Sequence, residues 1–310
     1  MTIVVSIPDA RKTQWWIEQL QPLLPGWTIR SIDDPGDPLE VAYAVVWRPA
    51  TGAFLPFPNL KAIVSLGAGI DHVLADRRLP RQVPIIRTVG TDLTQRMREY
   101  VALHVLRHHR DMPTIAANQR ERMWKPLVQP PATQRRVGVM GLGNLGGMAA
   151  ATLAALGFET LGWSRTKHRI EGVATYAGDD ELDAFLGRCE ILVCLLPLTP
   201  ATTGILDAGL FARLPRGASL INAGRGPHLN DDDLLAALES GQLSHATLDV
   251  FHIEPLPAEH PFWSHPRITV TPHIASLIDP ATGSRIVAAN IERFEATGTV
   301  DDLADTERGY

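Results

Sequence analysis

The feature that most constrains the fold of this chain is the stretch "VGVMGLGNLGGMAAATLAALG", which carries the pattern Gly141-x-Gly143-x-x-Gly146. An apolar run typical of a buried strand precedes the pattern, and an alanine-rich run typical of a helix follows it. In this context the first glycine permits a tight turn, the second lets the backbone approach a pyrophosphate, and the third allows close packing of the helix on the strand. The stretch predicts a phosphate-binding loop at a helix N-terminus, with candidate contacts Gly141, Gly143, Asn144, Leu145 and Gly146.

Short apolar runs alternate with amphipathic segments along the chain, which is the pattern of parallel sheets with crossover helices. The length of 310 residues suits roughly two domains, so we expect an α/β protein made of two doubly wound domains. The first series of predicted strands is Ile3 to Ile7, Val41 to Trp47, Leu60 to Gly67 and 84–89. The second series is Arg135 to Gly141, 158–163, 190–197, 218–224, 245–251 and 267–273.

Helical segments are expected between most of these strands. The clearest are 13–21, 91–110, 144–156, 231–240 and 280–297. The stretch Met112 to Thr133 is rich in Pro, Gln and Arg and predicts a loop-bearing connection. His104 and His108 are four residues apart on a predicted helix, but no third ligand is evident nearby, so we expect no metal site.

Composition and charge restrict the class of protein. A formal net charge of −5 does not favour nucleic-acid binding. Two cysteines, Cys189 and Cys194, lie in or beside an apolar run, so we expect buried thiols in a reducing compartment. The first residues do not have the pattern of a secretory signal, and no apolar run is as long as a membrane span. We therefore expect a cytoplasmic protein without a membrane or nucleic-acid partner.

The stretch "FETLGWSRTKH" bears on which nucleotide the loop binds. An acid that accepts the ribose 2′-hydroxyl of NAD normally stands about 20 residues after the glycine loop. The nearest acids, Glu159 and Glu171, lie at the start of the predicted strand and beyond the turn. A hydroxyl and two cations suit a 2′-phosphate instead, which favours NADP(H), while NAD(H) with a solvated turn stays the alternative. The tip of the strand carries Ser164, Arg165 and Lys167.

Three later segments end predicted strands and carry polar side chains. They are "INAGRGPHLNDDDL", "TLDVFHIEPLP" and "ITVTPHIAS", and we place Arg225, Glu254 and His273 at the site. Ligands of open α/β sheets bind at the carboxyl ends of the strands, so these side chains are expected near the nicotinamide. A guanidinium can bind a carboxylate and polarise a neighbouring carbonyl. A histidine can exchange the proton, and a nearby carboxylate favours its imidazolium form and fixes its tautomer.

With these motifs the chain resembles the D-isomer-specific 2-hydroxyacid dehydrogenase family, and in particular its members that reduce glyoxylate and hydroxypyruvate. The family motifs are the glycine loop, "NAGRG", "DVFHIEPLP" and "TPHIAS"; "LGAGID", "GWSRTK" and "DDDLLAALESGQL" extend the resemblance over nearly the whole chain. The resemblance implies that Arg225 and His273 are catalytic and that Glu254 supports His273. It implies NADPH-dependent reduction of glyoxylate to glycolate and of hydroxypyruvate to D-glycerate, in a homodimer.

The resemblance also assigns further contacts. The loop Gly67, Ala68 and Gly69 would present backbone N–H groups to the substrate carboxylate, as its composition independently suggests. Trp47 would either line the substrate pocket or belong to the hydrophobic core. Asp249 would contact the nicotinamide carboxamide. The remaining candidates for the cofactor are Leu196, Pro197, Ala223, Gly224, His273 and Ser276.

The family fold implies a domain order in which residues 99–283 bind the dinucleotide. Residues 1–98 together with 284–310 would bind the substrate, with the active site in the cleft between the two domains. Two alternatives within the class are a reductase of another 2-keto acid and an enzyme that prefers NADH. A third is an NAD(H)-binding interaction protein like the C-terminal-binding corepressors, which share this fold and the Arg/Glu/His set.

Overall fold

The computed structural model describes residues 1–309, and the chain divides into two compact units. The first unit consists of Met1–Leu93 and the chain from Leu277 onward, and the second is Thr94–Ser276. Each unit contains one parallel sheet with helices on its faces. The predicted class, α/β with two doubly wound domains, is confirmed. The assignment of residues 99–283 to dinucleotide binding stays a prediction.

The first unit is built on a five-stranded sheet in the order β2-β1-β3-β4-β5. All its strand pairs are parallel. The strands are β1 Thr2–Ser6, β2 Thr28–Ser31, β3 Val41–Val46, β4 Ala62–Ser65 and β5 Ile85–Arg87. Helix α1 spans Ala10–Leu20 and begins at Asp9, whose carboxylate accepts hydrogen bonds from the first turn. Helix α2 spans Asp71–Leu74.

The second unit is built on a seven-stranded sheet in the order β12-β11-β10-β9-β6-β7-β8, again with every pair parallel. Its strands are β6 Arg136–Met140, β7 Glu159–Ser164, β8 Val173–Ala177, β9 Ile191–Cys194, β10 Ala218–Asn222, β11 Leu243–Leu248 and β12 Ile268–Val270. Its helices are α3 Thr91–His109, α4 Met112–Arg120, α5 Asn144–Ala155, α6 Leu182–Leu186, α7 Ala208–Arg213 and α8 Asp231–Glu239. The strand order reverses between β6 and β9, which is where nucleotides bind in sheets of this kind.

Apolar side chains cover both faces of the seven-stranded sheet. One cluster includes Phe185, Phe211 and Leu234 from α6, α7 and α8. The other includes Val105 and Ala149 from α3 and α5. Strands buried on both faces are nearly continuous apolar runs, which is why the sequence identifies β6, β9 and β10 so readily.

The last helix, α9 Pro280–Thr297, belongs to the first unit. Asp279 accepts a hydrogen bond from Ala281 N–H at its start, and Gly298 ends it in the left-handed conformation (φ +72°). A Cβ atom at Gly283 would lie 2.7 Å from the Trp16 ring, so only glycine permits this close packing of α9 on α1. Within residues 1–309, no helix is long and apolar enough to cross a membrane.

The structure contains one helix and two strands that were not anticipated. Part of the loop-bearing stretch 112–133 is helical, as α4, and Pro113 stands in its first turn, where the missing N–H group costs nothing. Strands β2 and β8 were missed. Every residue of β2 except Ile29, and every residue of β8, is exposed or only partly buried, so neither strand presents an apolar run.

Candidate active site

The carboxyl ends of β10, β11 and β12 lie side by side because the three strands are parallel neighbours in register. Asn222 at the end of β10 pairs with Leu248 of β11, and Leu248 pairs with Val270 of β12. The loops that follow these strands carry Arg225, Glu254 and His273. The structure therefore brings the three predicted catalytic segments to one edge of the second unit.

His273 and Glu254 form the central pair of this edge. Nδ1 of His273 lies 2.8 Å from Oε2 of Glu254, and both side chains are largely buried. The other carboxylate oxygen of Glu254 accepts a hydrogen bond from Phe251 N–H at 2.9 Å. Because the Glu254 carboxylate can only accept, Nδ1 carries a proton and donates it in this hydrogen bond, and Nε2 is the ring nitrogen suited to exchange a proton with a substrate.

Asp249 holds the backbone around His273. It is 1% exposed, and its carboxylate accepts three hydrogen bonds, from the Thr271 hydroxyl (2.6 Å), Ile274 N–H (2.9 Å) and Ala275 N–H (2.8 Å). His273 itself has a φ of +53°, a strained value for a residue with a side chain. This contribution of Asp249 to the His273 loop was not anticipated from the sequence. The contact with the nicotinamide carboxamide stays a prediction.

Arg225 lies in a loop packed tightly against the loop of Glu254. Its Nη1 donates to the Gly224 carbonyl at 2.8 Å, and Asn222 Nδ2 donates to the Arg225 carbonyl at 3.2 Å. A Cβ atom at Gly226 would lie 2.0 Å from the Phe251 carbonyl carbon. Glycine at 226 is therefore what allows these two loops to meet.

The glycine loop joins β6 to α5 and has the geometry that its sequence predicts. Gly141 has a φ of +96°, and a Cβ there would lie 2.6 Å from the Leu195 carbonyl oxygen. A Cβ at Gly146 would lie 1.8 Å from the Gly141 carbonyl oxygen, so the helix could not pack this closely with a side chain. Gly143 differs from both, because a Cβ there would meet no atom within 4 Å. The glycine loop is therefore open to a ligand at Gly143, next to the first turn of α5.

The tip of β7 carries the three residues predicted to bind a 2′-phosphate. Ser164 is buried, and its hydroxyl donates to the Thr166 carbonyl at 2.7 Å. The Lys167 ammonium lies 3.1 Å from Glu181 and also donates to a main-chain carbonyl. Arg165 is exposed. The structure thus directs Lys167 toward an acid of its own chain, while Arg165 extends at the surface of the strand tip.

The other predicted cofactor contacts lie along the same edge. Leu196 and Pro197 follow β9, and Ala223 and Gly224 follow β10, the neighbouring strand. Leu196 and Ala223 are buried. Leu145 follows Asn144 in the first turn of α5, and Ser276 is the last residue of the second unit.

In the first unit, Trp47 and the loop 67–69 meet at the ends of β3 and β4. The Trp47 ring would lie 3.0 Å from a Cβ at Gly67, and its centroid is 4.5 Å from that of His72. Gly67 N–H donates to the Ser65 carbonyl at 2.9 Å. The N–H groups of Ala68 and Gly69 donate to no group in the part of the chain that the structure describes. Trp47 thus packs on the loop, and two of the three expected donors remain available.

The sheet order, the glycine loop and the His–Glu pair together define a dinucleotide-dependent oxidoreductase of the 2-hydroxyacid type. The family model described as "D-isomer specific 2-hydroxyacid dehydrogenase, NAD binding domain" matches residues 102–275, and the chain belongs to this family. The resemblance drawn from the motifs is confirmed.

Individual relatives and solved structures are similar over the full length. The chain is 42% identical to a glyoxylate/hydroxypyruvate reductase A of Yersinia enterocolitica, over 100% of both chains. A D-isomer specific 2-hydroxyacid dehydrogenase of Xanthobacter autotrophicus Py2, solved with NADPH and MES, is 44% identical with a TM-score of 0.93, over 99% of both chains. An NADPH-dependent glyoxylate/hydroxypyruvate reductase of Sinorhizobium meliloti, solved with NADP and sulfate, is 41% identical with a TM-score of 0.90, over 100% of this chain and 99% of that one.

Proposed function

We propose that this protein reduces glyoxylate to glycolate and hydroxypyruvate to D-glycerate with NADPH. The observation that carries the proposal is the His273–Glu254 pair beside the Arg225 loop, at the edge of the sheet that also bears the glycine loop. Relatives named for this activity, 42% and 41% identical over essentially the whole chain, support the choice of substrates.

The residues at this edge of the sheet fit NADP(H), with its pyrophosphate and its 2′-phosphate. The glycine loop is open at Gly143, and the N–H groups of the first turn of α5 stand next to it. At the tip of β7, Arg165 and Ser164 stand where an NAD enzyme has an acid, and the guanidinium of Arg165 would hold a 2′-phosphate. Solved relatives that contain NADPH or NADP support this choice. The bound cofactor supplies the hydride.

The side chains of this protein supply substrate orientation and the proton. Arg225 pairs with the substrate carboxylate and polarises the adjacent carbonyl. His273 gives a proton from Nε2 to the carbonyl oxygen as carbon 2 gains hydride, so the product is a hydroxy acid. Glu254 accepts the hydrogen bond from Nδ1 and thereby fixes the tautomer and the orientation of the ring. In the oxidation direction neutral His273 removes the hydroxyl proton.

The loop 67–69 of the first unit is a second candidate for binding a carboxylate. The N–H groups of Ala68 and Gly69 are the donors available for this group, since Gly67 N–H is bonded to Ser65. The Trp47 ring packs on Gly67 of this loop.

The experiment that tests the proposal is the initial rate of oxidation of NADPH and of NADH by the purified protein, each with glyoxylate and with hydroxypyruvate. We expect fast turnover with NADPH and both substrates. Fast turnover with NADH instead would retain the reaction and refute the cofactor assignment. Absence of turnover with both keto acids, in a protein that binds NADPH, would refute the substrate assignment.

We further propose that the protein is a homodimer joined through its second unit. Seven exposed apolar side chains are concentrated in α3, α4 and the segment after them: Leu103, Leu106, Met112, Ile115, Met123, Trp124 and Val128. Such a concentration on one segment is typical of a protein interface.

The mass in solution, measured by light scattering, tests this dimer. Leu103→Glu should yield monomer, because it places a charge in the interface. Leu55→Glu is the matched control, since Leu55 (60% exposed) is as accessible as Leu103 (61%) but lies in the first unit. A dimeric Leu103→Glu protein, or a wild-type monomer, would contradict the proposal.

A further inference from the structure

His228 is a buried histidine next to the proposed site that the reaction scheme does not use. It is the last residue of the single helical turn Gly226–His228, which follows β10, and it is 0% exposed. Both of its ring nitrogens lie within hydrogen-bond distance of the main chain of the proposed site, which is unusual for a side chain that only fills space.

The two contacts determine the tautomer of the ring. Nδ1 lies 3.0 Å from the main-chain nitrogen of Arg225, and because a backbone N–H group can only donate, Nδ1 accepts. The proton of neutral His228 is then on Nε2, which donates to the Pro197 carbonyl at 3.2 Å. The Cys194 sulfur lies 4.0 Å from Nδ1.

One ring thereby joins two loops of the proposed site. The first loop carries Arg225, proposed to bind the substrate carboxylate, and the second carries Pro197, a predicted cofactor contact. Gly224, which precedes Arg225, fits this arrangement, since a Cβ atom there would lie 2.9 Å from His228 Nδ1. Glycine at 224 therefore leaves room for the ring against the loop of Arg225.

We propose that His228 is a positioning residue: its Nδ1 holds the main chain of Arg225, and the bond from Nε2 to the Pro197 carbonyl keeps the ring proton on Nε2, so that Nδ1 stays the acceptor for Arg225 N–H. The inference rests on the role proposed above for Arg225. A guanidinium is useful to a planar carboxylate only in a narrow range of orientations, so a shift of the Arg225 main chain lowers both binding and turnover.

Two substitutions separate the two hydrogen bonds. The Oδ1 atom of asparagine is as far along the side chain as Nδ1 of histidine, so His228→Asn keeps an acceptor for Arg225 N–H. The Nε2 atom of glutamine corresponds in the same way to Nε2 of histidine, so His228→Gln keeps a donor for the Pro197 carbonyl. His228→Phe removes both bonds at similar volume.

The measurement is kcat and KM for glyoxylate at saturating NADPH, together with the unfolding temperature of each variant. We expect His228→Phe and His228→Gln to raise KM and to lower kcat/KM by roughly 10- to 100-fold. His228→Asn should recover KM to within about threefold of the wild type, because it retains the bond to Arg225. His245→Phe is the matched control. It changes a partly buried histidine within strand β11 and should leave KM unchanged.

Two outcomes would overturn the inference: unchanged KM in both His228→Gln and His228→Phe, or a KM as high in His228→Asn as in His228→Gln. If His228 were merely structural, the defects would follow the unfolding temperature. If His228→Phe does not fold, the comparison of KM between His228→Asn and His228→Gln still tests the positioning role. Arg225→Gln separates this inference from the proposed function. Full activity of Arg225→Gln would refute the role of Arg225 itself, whereas its loss with unchanged His228 variants would refute only the positioning role.

Discussion

His273 combines a strained backbone with a fully oriented ring. Its φ of +53° is held by the carboxylate of Asp249, through the N–H groups of the two following residues, and its Nδ1 by Glu254. Strain of this kind persists only where surrounding bonds impose it, and it is concentrated at functional sites. The ring is therefore held in one orientation, which suits the proton transfer through Nε2 that we propose.

At this residue we predict that His273→Gln lowers kcat for glyoxylate by roughly 10²- to 10⁴-fold, the usual contribution of a general acid. The dissociation constant of NADPH, measured by fluorescence titration, should change by less than about threefold, because the glycine loop is intact. A similar loss of NADPH binding in a folded variant would contradict the division between proton transfer and cofactor binding.

The second prediction at this scale concerns the tip of β7. Arg165→Ala should weaken NADPH binding by about 10- to 100-fold and leave NADH binding nearly unchanged, since a hydrogen bond to a charged group contributes about 1.5–3 kcal/mol. Lys167→Ala is the matched comparison and should have the smaller effect on NADPH, because Lys167 is paired with Glu181. Equal losses for NADPH and NADH in Arg165→Ala would mean that Arg165 does not bind the 2′-phosphate.

At the scale of single elements, the turn from β6 to α5 shows three glycines with different functions. Gly141 and Gly146 are required by close contacts within the protein, whereas Gly143 is not, since its Cβ position is open and its φ of −68° is ordinary for any residue. The space at Gly143 fits the pyrophosphate that we propose the backbone approaches here.

The turn makes a prediction with an internal control. Gly146→Ala should lower the free energy of unfolding by about 3 kcal/mol or more, the upper part of the usual range for overpacking, because the new Cβ collides with a main-chain oxygen. Gly143→Ala should change that free energy by less than about 1 kcal/mol and yet weaken NADPH binding at least about tenfold. Urea unfolding and fluorescence titration check the two quantities. Gly143→Ala with normal NADPH affinity would show that the phosphate lies elsewhere.

Other elements show where sequence patterns are insufficient. The central strands and helix α9 could be predicted because apolar runs and helix-capping residues are local signals. Strands β2 and β8 could not, because strands with few buried side chains present no apolar run. Helix α4 contains a proline and several polar residues, which indicated a loop-bearing connection. In the structure Pro113 lies in the first turn, where a helix tolerates proline.

At the scale of the whole molecule, buried histidines of the second unit affect stability at acidic pH. Burial, reinforced by Arg107, lowers the pKa of His104 from 6.5 to about 4, and burial with nearby His245 lowers that of His108 to about 3. Both rings are neutral in the folded state. Below pH 6.5 the unfolded chain binds protons that the folded chain does not, so stability is complete above pH 6.5 and falls as the pH decreases.

We therefore predict a fall in the free energy of unfolding between pH 6.5 and about 4, measured by urea unfolding. The slope should reach about 1.4 kcal/mol per pH unit for each such histidine. His104→Gln should make the fall shallower by about that amount, whatever its effect at neutral pH. An equally steep fall in His104→Gln would show that other groups, such as acids, determine the acid sensitivity.

The sequence by itself determined the class of fold, the phosphate loop, the family and the three residues proposed for the chemistry. These depend on local signals: apolar runs, glycine spacing and short motifs at strand ends. Only the tertiary structure decided how those residues are held. The support of His273 by Asp249, the pairing of Lys167 with Glu181 and the link from His228 to Arg225 and Pro197 join residues that are up to 31 positions apart. Hydrogen bonds of this kind arise where neighbouring strands and loops are brought together in space, and spacing along the chain does not specify which side chains will meet there.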